Sequence, residues 1–305
     1  MKPNRILNLH VASLDFIADN VELIRDQGFD SIQTAPLQTT KNEDSGEWWM
    51  LYQPIGFNIG NRIGNEDSLR RLCDRAHSVG LQVYVDVVIN HLAGADDGSL
   101  MPNLKDDKDL VYQEGAWKER SPITDWNDRN QVITKSIGGL PSLNQSNYLV
   151  KEKIFRMMDR MVELGVDGFR LDAAKSIALP NESCDFFSIL RDRYPNKFIY
   201  GEVLNYPQYF IDKYAEYMHV LTDSNGSSND RLVKFAETHD TYLSDPPSKG
   251  GMGYTKEMPV QDIKRKYLDL CSRYLNTLFY ARNYNDDWHE WKSREVKDAN
   301  YRLKM

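Results

Sequence analysis

The stretch LQVYVDVVINH, residues 81–91, decides the fold of this chain. Leu81–Ile89 has the pattern of a β-strand, and polar Asn90 and His91 follow it directly. The segment before it, Glu66–Val79, has the pattern of a helix. A helix that leads into such a strand is typical of the β/α units of a parallel sheet.

The same alternation of strand-like and helix-like segments extends along the chain. The predicted strands are Arg5–Val11, Asp30–Ala35, Leu81–Ile89, Val166–Asp172, Lys197–Val203, His219–Thr222, Leu232–Glu237 and Asn276–Arg282. The predicted helices are Leu14–Gln27, Glu66–Val79, Tyr148–Leu164, Ser183–Tyr194, Pro207–Glu216, Val260–Tyr274 and Trp288–Leu303. Eight strands in this order predict an α/β fold, a TIM (β/α)8 barrel.

One connection is too short for a complete unit. Only nine residues separate Thr222 from Leu232, whereas a parallel crossover usually needs a dozen or more and a helix. The sixth helix is therefore expected to be missing or shortened. Nine extended residues can span roughly 30 Å, so the strand can still return and close the barrel.

A second departure is an insertion after the third strand. The segment between His91 and Tyr148 is rich in Asp, Asn, Gly, Ser and Pro, and no long periodic helix interrupts it. A loop that long is normally functional, so we place it over the active-site face. The prediction is a catalytic barrel from residues 1–91 and 149–305, with a loop-rich insertion at 92–148.

Composition limits the classes of partner. Hydrophobic residues at 41%, charged residues at 27% and a mean hydropathy of -0.61 are typical of a soluble globular protein, and no stretch resembles a membrane span. A net charge of -7 argues against nucleic acid and leaves neutral ligands such as sugars open. Three cysteines without CxxC spacing indicate free thiols. Since no signal-like segment begins the chain, we expect a cytoplasmic monomer.

Acids and histidines lie at four predicted strand ends, where barrel enzymes place their reactive groups. Arg170 and Asp172 are two residues apart on one strand, so both side chains point into the barrel. The guanidinium should keep Asp172 ionised, as a carboxylate nucleophile requires. The alternative is an ion pair that only braces the barrel.

A second acid, Glu202, ends the fifth strand beside apolar Val203 and Leu204, and such surroundings favour a proton donor. The alternative is a helix-capping or solvated glutamate. An ionised and a protonated carboxyl group about 5–5.5 Å apart are what retaining glycoside hydrolysis needs. Asp240 would add a third acid for sugar hydroxyls.

Histidines and aromatic residues complete the candidate site. His91 and His239 lie beside acids and could donate hydrogen bonds to the same sugar, although a strand-end histidine is often structural. Flat side chains pack on sugar rings, and the candidates after the second strand are Trp48, Trp49, Tyr52 and Gln53. Core packing of one of the two tryptophans is the alternative. Weaker candidates are Trp126, Tyr206 and Tyr242.

These segments resemble the four signature regions of the α-amylase family, glycoside hydrolase family 13. The regions are Asp86–His91, Gly168–Lys175, Gly201–Val203 and Glu237–Asp240, and further similarity lies at Ser31–Pro36, Leu51–Pro54, Asn127–Arg129 and Gly139–Pro141. The resemblance implies that Asp172 is the nucleophile, Glu202 the acid/base and Asp240 the transition-state stabiliser. It places Arg170, His91 and His239 around the −1 sugar, Lys175 on the plus side, and Trp48, Trp49, Tyr52 and Gln53 on the minus-side wall.

The resemblance also implies an activity. It is the hydrolysis of α-1,4-glucosidic bonds in starch, glycogen or maltooligosaccharides, with retention of configuration through a covalent glycosyl-enzyme. A transglycosylase of the same family and a catalytically inactive glucan-binding barrel are the alternatives.

The sequence departs from the family at its ion sites and at its end. Many members hold a structural calcium with an Asn, an Asp and a His, but only Asn90 remains here, because Ser142 and Ser176 replace the other two. Calcium prefers charged oxygen ligands, so this site is predicted to be absent, with the two serines meeting directly or through water. Thr238 in place of the usual Asn predicts that no chloride binds. The family's carboxyl-terminal β-sandwich is expected to be missing, as in a minimal amylase.

Overall fold

Eight parallel strands form a closed barrel in the computed structural model of the protein, which describes residues 3–104, 107–224, 230–246, 248 and 253–281. The strands are β1 Asn4–Asn8, β2 Ser31–Thr34, β3 Gln82–Val87, β4 Gly168–Leu171, β5 Phe198–Glu202, β6 His219–Leu221, β7 Leu232–Phe235 and β8 Asn276–Tyr280. They follow chain order around the barrel, and β8 pairs with β1. The prediction of a TIM barrel is therefore confirmed.

The barrel also closes at its thinnest point. Strands β6 and β7 pair in parallel with Val220 opposite Leu232 and Leu221 opposite Val233. Residues 225–229 of the short connection between them lie outside the described residues, so the missing sixth helix stays a prediction.

The helices cover the outside of the barrel. They are α1 Leu14–Asp19, α2 Val21–Asp26, α3 Glu66–Ser78, α4 Arg129–Thr134, α5 Tyr148–Glu163, α6 Phe186–Arg193, α7 Gln208–Ala215, α8 His239–Leu243 and α9 Val260–Arg273. No helix among the described residues is both long and apolar enough to cross a membrane. The predicted helix Trp288–Leu303 lies outside the described residues.

The prediction of one continuous helix over Leu14–Gln27 is wrong. The helix breaks at Asn20, which has φ −118° and ψ 10°. Its amide Nδ2 donates to the carbonyl of Phe16 at 2.7 Å. Asparagine competes in this way for backbone groups and so interrupts helices, which the apolar periodicity does not show.

The segment 92–148 is mostly irregular. It contains the short helix α4, a 3-10 turn at Lys108–Leu110, and two short paired strands, Glu119–Pro122 and Lys135–Ser136. The backbone of Leu143 donates to the carbonyl of Asn90 at 2.7 Å and so ties the segment to the end of β3. A second small ribbon, Gln38–Thr40 with Pro54–Ile59, follows β2 and flanks the 3-10 turn Trp48–Tyr52.

The apolar core has two parts. A large cluster fills the space between strands and helices, and a small one fills the barrel interior. The interior cluster consists of Ile6, Tyr84, Tyr200, Leu204, Leu221, Val233 and Leu278. Above it, toward the carboxyl ends of the strands, polar side chains take over the interior.

Candidate active site

Arg170 of β4 is the centre of the site, and only 1% of it is exposed. Its Nη1 contacts Asp172 Oδ1 at 2.6 Å and both oxygens of Asp86 at 3.0 Å, and its Nη2 contacts Glu202 Oε1 at 2.8 Å. Burial opposes the charge, but the carboxylates of Asp86, Glu202 and Asp172 outweigh it and raise the pKa of Arg170 well above its usual value. One guanidinium thus holds acids from three neighbouring strands, including the Arg170–Asp172 contact that the sequence spacing predicts.

Glu202, at the end of β5, has different surroundings from those expected. Its Oε1 faces Arg170 and its Oε2 accepts a hydrogen bond from the backbone N–H of Ala173 at 3.0 Å. The apolar Val203 and Leu204 follow it in the chain but do not isolate its carboxyl group. The surroundings differ because strand β4 and the turn after it, which are distant in sequence, supply the neighbours of the two oxygens.

Two local backbone features bring Glu202 to Ala173. Ala173 has φ 47° and ψ 36°, a left-handed conformation that costs energy for a residue with a Cβ atom. A Cβ on Gly201 would lie 2.3 Å from Met218 Cε and 2.7 Å from the Cβ of Ala174. Glycine is therefore required for the close approach of β5 to the turn that follows Asp172.

The third acid, Asp240, lies in the first turn of α8. Thr238 caps this helix, because its Oγ1 accepts from the backbone of Thr241 while its own N–H donates to the Thr241 hydroxyl. Burial, and then the negative charge of Glu202, raise the pKa of Asp240 to about 8. This shift favours the protonated form of Asp240, which can donate a hydrogen bond.

A stack of rings forms one wall beside these acids. His10 and His239 are parallel, with ring centroids 4.0 Å apart, and Tyr52 lies in nearly the same orientation. The Tyr52 hydroxyl donates to Asp86 Oδ2 at 2.8 Å and is 3.0 Å from His239 Nε2. Burial, assisted by the charge of Arg170, lowers the pKa of His10 to about 3. Both histidine rings are neutral.

His10 was not among the predicted site residues. It lies two residues beyond the end of β1, buried, and neither ring nitrogen has a hydrogen-bond partner among the described residues. A histidine at a strand end was the signal used for His91 and His239, and the same criterion applied to the first strand would have found it.

His91, which follows β3, faces the nucleophile. Its Nε2 is 3.1 Å from the carbonyl of Tyr52, and its Nδ1 is 3.9 Å from Asp172 Oδ2. Burial lowers the pKa of His91, although the charge of Asp172 opposes this shift, and so favours the neutral ring. Its Nδ1 is buried and has no hydrogen-bond partner in the described part of the chain.

These groups surround one cavity of about 730 Å³. Its predicted lining residues are Trp48, Trp49, Tyr52, Gln53, His91, Asp172, Lys175, Glu202, His239 and Asp240. Of the predicted site residues, Arg170 alone does not line the cavity, because it lies beneath the acids. Of the weaker candidates, Trp126 and Tyr206 also line it, and the structure adds Ile137, Gly138, Leu140, Ala173, Leu204 and Asn205. A pocket of this size, with convergent polar groups beside aromatic rings, is typical of a small-molecule site.

The aromatic candidates take different places. Trp49 is 42% exposed at the mouth of the cavity, whereas Trp48 packs partly against the core and edge-on to His10. Tyr242 is buried against Tyr280 and does not line the cavity. Core packing of one tryptophan, the alternative interpretation, therefore describes Trp48 in part.

Lys175 marks the opposite end of the cavity. Its Nζ donates to the carbonyl of Leu204 at 3.0 Å and lies 5.0 Å from the ring centre of Trp126 and 5.9 Å from that of Tyr206. Burial lowers the pKa of Lys175. Aromatic rings thus lie at both ends of the cavity, with the acids between them.

Lys118 occupies the region of the implied calcium site. Its Nζ donates to Asn90 Oδ1 at 2.7 Å and to the carbonyl of Ser176 at 2.6 Å. Burial lowers the pKa of Lys118 to about 7. Among the residues that the structure describes, no group of three His, Cys, Asp or Glu side chains could hold a metal ion. The residues at this position do not fit calcium, which needs six to eight oxygen ligands.

The hydroxyls of Ser142 and Ser176 do not contact each other directly, and a contact through water stays a prediction. Ser142 Oγ accepts from the backbone of Ile137 at 3.0 Å and donates to the carbonyl of Leu140 at 3.4 Å. Ser176 Oγ is buried and has no hydrogen-bond partner among the described residues. The Lys118 side chain, and not the serine hydroxyls, joins Asn90 after β3 to the turn that ends at Ser176.

The fold and the site define a class: (β/α)8-barrel proteins with a cluster of acids at the carboxyl ends of the strands, facing an aromatic-lined cavity. The chain belongs to the α-amylase family. The family profile described as alpha amylase, catalytic domain, matches residues 8–244. That range includes Asp172, Glu202 and Asp240.

Individual relatives agree with this assignment. An alpha-amylase-related protein of Drosophila willistoni is 34% identical over 219 residues, which are 67% of this chain and 44% of that protein. The corresponding protein of Drosophila orena is 36% identical over 173 residues, which are 54% and 35% of the two chains. The chain thus spans less than half the length of these curated relatives.

Solved structures share the fold. Alpha-amylase I from Eisenia fetida superposes with a TM-score of 0.73 at 20% identity, covering 92% of this chain and 67% of that one. The alpha-amylase of Geobacillus thermoleovorans, solved with acarbose, gives a TM-score of 0.70 at 18% identity and covers 99% and 74%. At these identities the likeness shows the fold alone.

Proposed function

We propose that this protein is a retaining α-glucan hydrolase that cleaves α-1,4-glucosidic bonds in starch, glycogen or maltooligosaccharides. The observation that supports this most is the sharing of the Arg170 guanidinium between Asp172 and Glu202, with Asp240 on the same cavity. Retaining hydrolysis needs two carboxyl groups that flank one glycosidic bond, and the ends of two neighbouring strands present them here.

In the first step, the Asp172 carboxylate attacks the anomeric carbon of the bound sugar. The glycosidic bond breaks as Glu202 gives its proton to the leaving oxygen, and a covalent glycosyl ester on Asp172 remains. Asp172 is held by Arg170 at 2.6 Å, which fixes its orientation and stabilises it as an anion.

In the second step, Glu202 takes a proton from water, and the resulting hydroxide oxygen displaces Asp172 from the sugar. Two inversions give net retention of the anomeric configuration. Asp240, whose raised pKa favours the protonated form, can donate a hydrogen bond to a sugar hydroxyl while positive charge develops on the ring. His91 and His239 line the same cavity and would contact the same sugar.

The substrate class is supported by the shape and charge of the cavity. Rings at both ends suit the apolar faces of successive sugars, and the acids between them would disfavour an anionic ligand. Another structure of the Eisenia fetida enzyme is a complex with maltohexaose, whose linear sugar chain matches such a cleft.

The test is product analysis on maltohexaose by NMR, with Glu202→Gln as the variant. The parent should release α-anomers first, and the variant should lose activity by roughly 10²–10⁴-fold, since general acid/base catalysis contributes about that much. Glu216→Gln is the matched control, because Glu216 pairs with Lys213 on the surface. A Glu202→Gln variant as active as this control would refute the mechanism.

The same experiment separates the alternatives. A transglycosylase would form products longer than maltohexaose, because a sugar replaces water in the second step. A glucan-binding barrel without activity would bind maltohexaose and release nothing.

A further inference from the structure

We propose that the Lys118 side chain takes the place of the structural cation that the α-amylase resemblance implies, so that an amine of the chain itself joins the loop insertion to the barrel. The proposal does not depend on the hydrolase activity, because its tests measure stability and ion binding.

Lys118 contacts all three positions that the resemblance assigns to calcium ligands. Its Nζ donates to the side-chain oxygen of Asn90 at 2.7 Å and to the backbone oxygen of Ser176 at 2.6 Å. Its backbone N–H donates to the carbonyl of Ser142 at 2.9 Å. Three segments that are far apart in sequence therefore meet at this one residue.

The amine and a divalent cation exclude each other. Both would need the Asn90 and Ser176 oxygens, and a calcium ion beside an ammonium group would be repelled. The position of the family's Asp, which would offset such repulsion, is the uncharged Ser142, whose hydroxyl is engaged with Ile137 and Leu140. The site therefore suits the Lys118 amine, which donates hydrogen bonds to two oxygens, and not a calcium ion, which takes six to eight oxygen ligands.

The contacts do not require that the amine be charged. An ammonium group has three N–H donors and a neutral amine has two, and two oxygens are to be satisfied. The link between the loops therefore holds in either protonation state. The linked segments also position groups that lie close to the catalytic acids.

Both oxygens belong to segments that position the catalytic cavity. Asn90 directly precedes His91, whose ring faces Asp172. Ser176 ends the 3-10 turn Ala174–Ser176 that follows Asp172 and contains Lys175. Lys118 is therefore a positioning residue, which acts on the cavity through these two segments.

The first test measures thermal unfolding of the parent chain with EDTA, with calcium chloride, and with neither. We expect Tm to stay within about 1 °C in all three. Lys118→Met should lower Tm by on the order of 5–10 °C, because two partly buried hydrogen bonds are lost, and added calcium should not restore it. Lys213→Met, at a surface pair with Glu216, is the matched control.

Three results would overturn the proposal. They are a parent chain destabilised by EDTA, a Lys118→Met variant as stable as the control, and a variant restored by calcium. If Lys118→Met does not fold, calorimetric titration of the parent with calcium decides alone: stoichiometric binding overturns the proposal, and no binding supports it.

A second pair of variants tests the exclusion directly. Ser142→Asp restores the carboxylate while Lys118 stays, and Lys118→Ala/Ser142→Asp restores it with the amine removed. Calcium should raise the Tm of the double variant by several degrees more than that of the single variant. An equal response of the two variants would show that Lys118 does not occupy the cation's place.

Discussion

Replacement of Arg170 by Met should destabilise the protein strongly and in a pH-dependent way. The guanidinium is the positive partner of Asp86, Asp172 and Glu202 at 2.6–3.0 Å, and all four groups are buried or nearly so. Removing one partner of a buried ion pair costs about 3–5 kcal/mol, because the remaining charge is left uncompensated. At roughly 2–4 °C per kcal/mol, Tm should fall by about 6–20 °C.

The pH dependence follows from Asp86, the acid of this cluster with the least access to solvent. Burial raises the pKa of Asp86 to about 7, and Arg170 opposes this shift. A carboxyl group whose folded pKa exceeds its unfolded value stabilises the fold at pH values below the unfolded pKa, and this contribution is lost as pH rises through the folded value. Without Arg170 the pKa of Asp86 rises further, so the variant should lose more stability relative to the parent at pH 8 than at pH 5.

The assay is urea unfolding followed by tryptophan fluorescence at pH 5 and pH 8, for the parent, Arg170→Met and Arg265→Met. Arg265 is the control, since its side chain is 78% exposed in a surface pair with Asp262. A loss below about 1 kcal/mol at pH 8, or an equal loss at the two pH values, would refute the reasoning about this cluster.

Two further outcomes follow from the cavity wall and the third acid. His10→Phe should leave Tm unchanged or raise it by up to about 3 °C. The reason is that a phenyl ring keeps the stack on His239 and removes two buried nitrogens that have no hydrogen-bond partner in the described part of the chain. Thermal unfolding measures this, and a clear loss of stability would contradict it. Maltohexaose binding should weaken as the pH rises through about 8, because Asp240 then loses the proton with which it donates a hydrogen bond. Calorimetric titration from pH 6 to pH 9 measures this, with Asp240→Asn as the control whose affinity should not change over that range.

Much of the fold could be predicted because its signals are local. Each strand is a short apolar segment followed by polar residues, and the spacing of Arg170 and Asp172 fixes their common face. The strand ends were accurate to a few residues, and the acids at those ends converge on one cavity. The break at Asn20 was missed because a single side-chain hydrogen bond, and not periodicity, causes it.

What could not be predicted depends on contacts between distant segments. The donors on Glu202 come from β4 and from the turn after it, which adjacency in sequence does not reveal. Lys118 is 28 residues from Asn90 and 58 from Ser176, and no local pattern distinguishes it from a surface lysine. The loss of two ligand types was visible in the sequence, but the group that replaces them was not.

Stabilisation by the Lys118 amine, unlike stabilisation by a bound ion, does not depend on the concentration of a free ligand. A ligand stabilises the folded state in proportion to the logarithm of its free concentration, so a protein held by an ion depends on the supply of that ion. A side chain of the same polypeptide has a fixed effective concentration, which neither dilution nor a competing chelator changes. The loops around Asp172 would then keep their arrangement wherever free calcium is scarce, and temperature and pH, not ion supply, would set the limits of the fold.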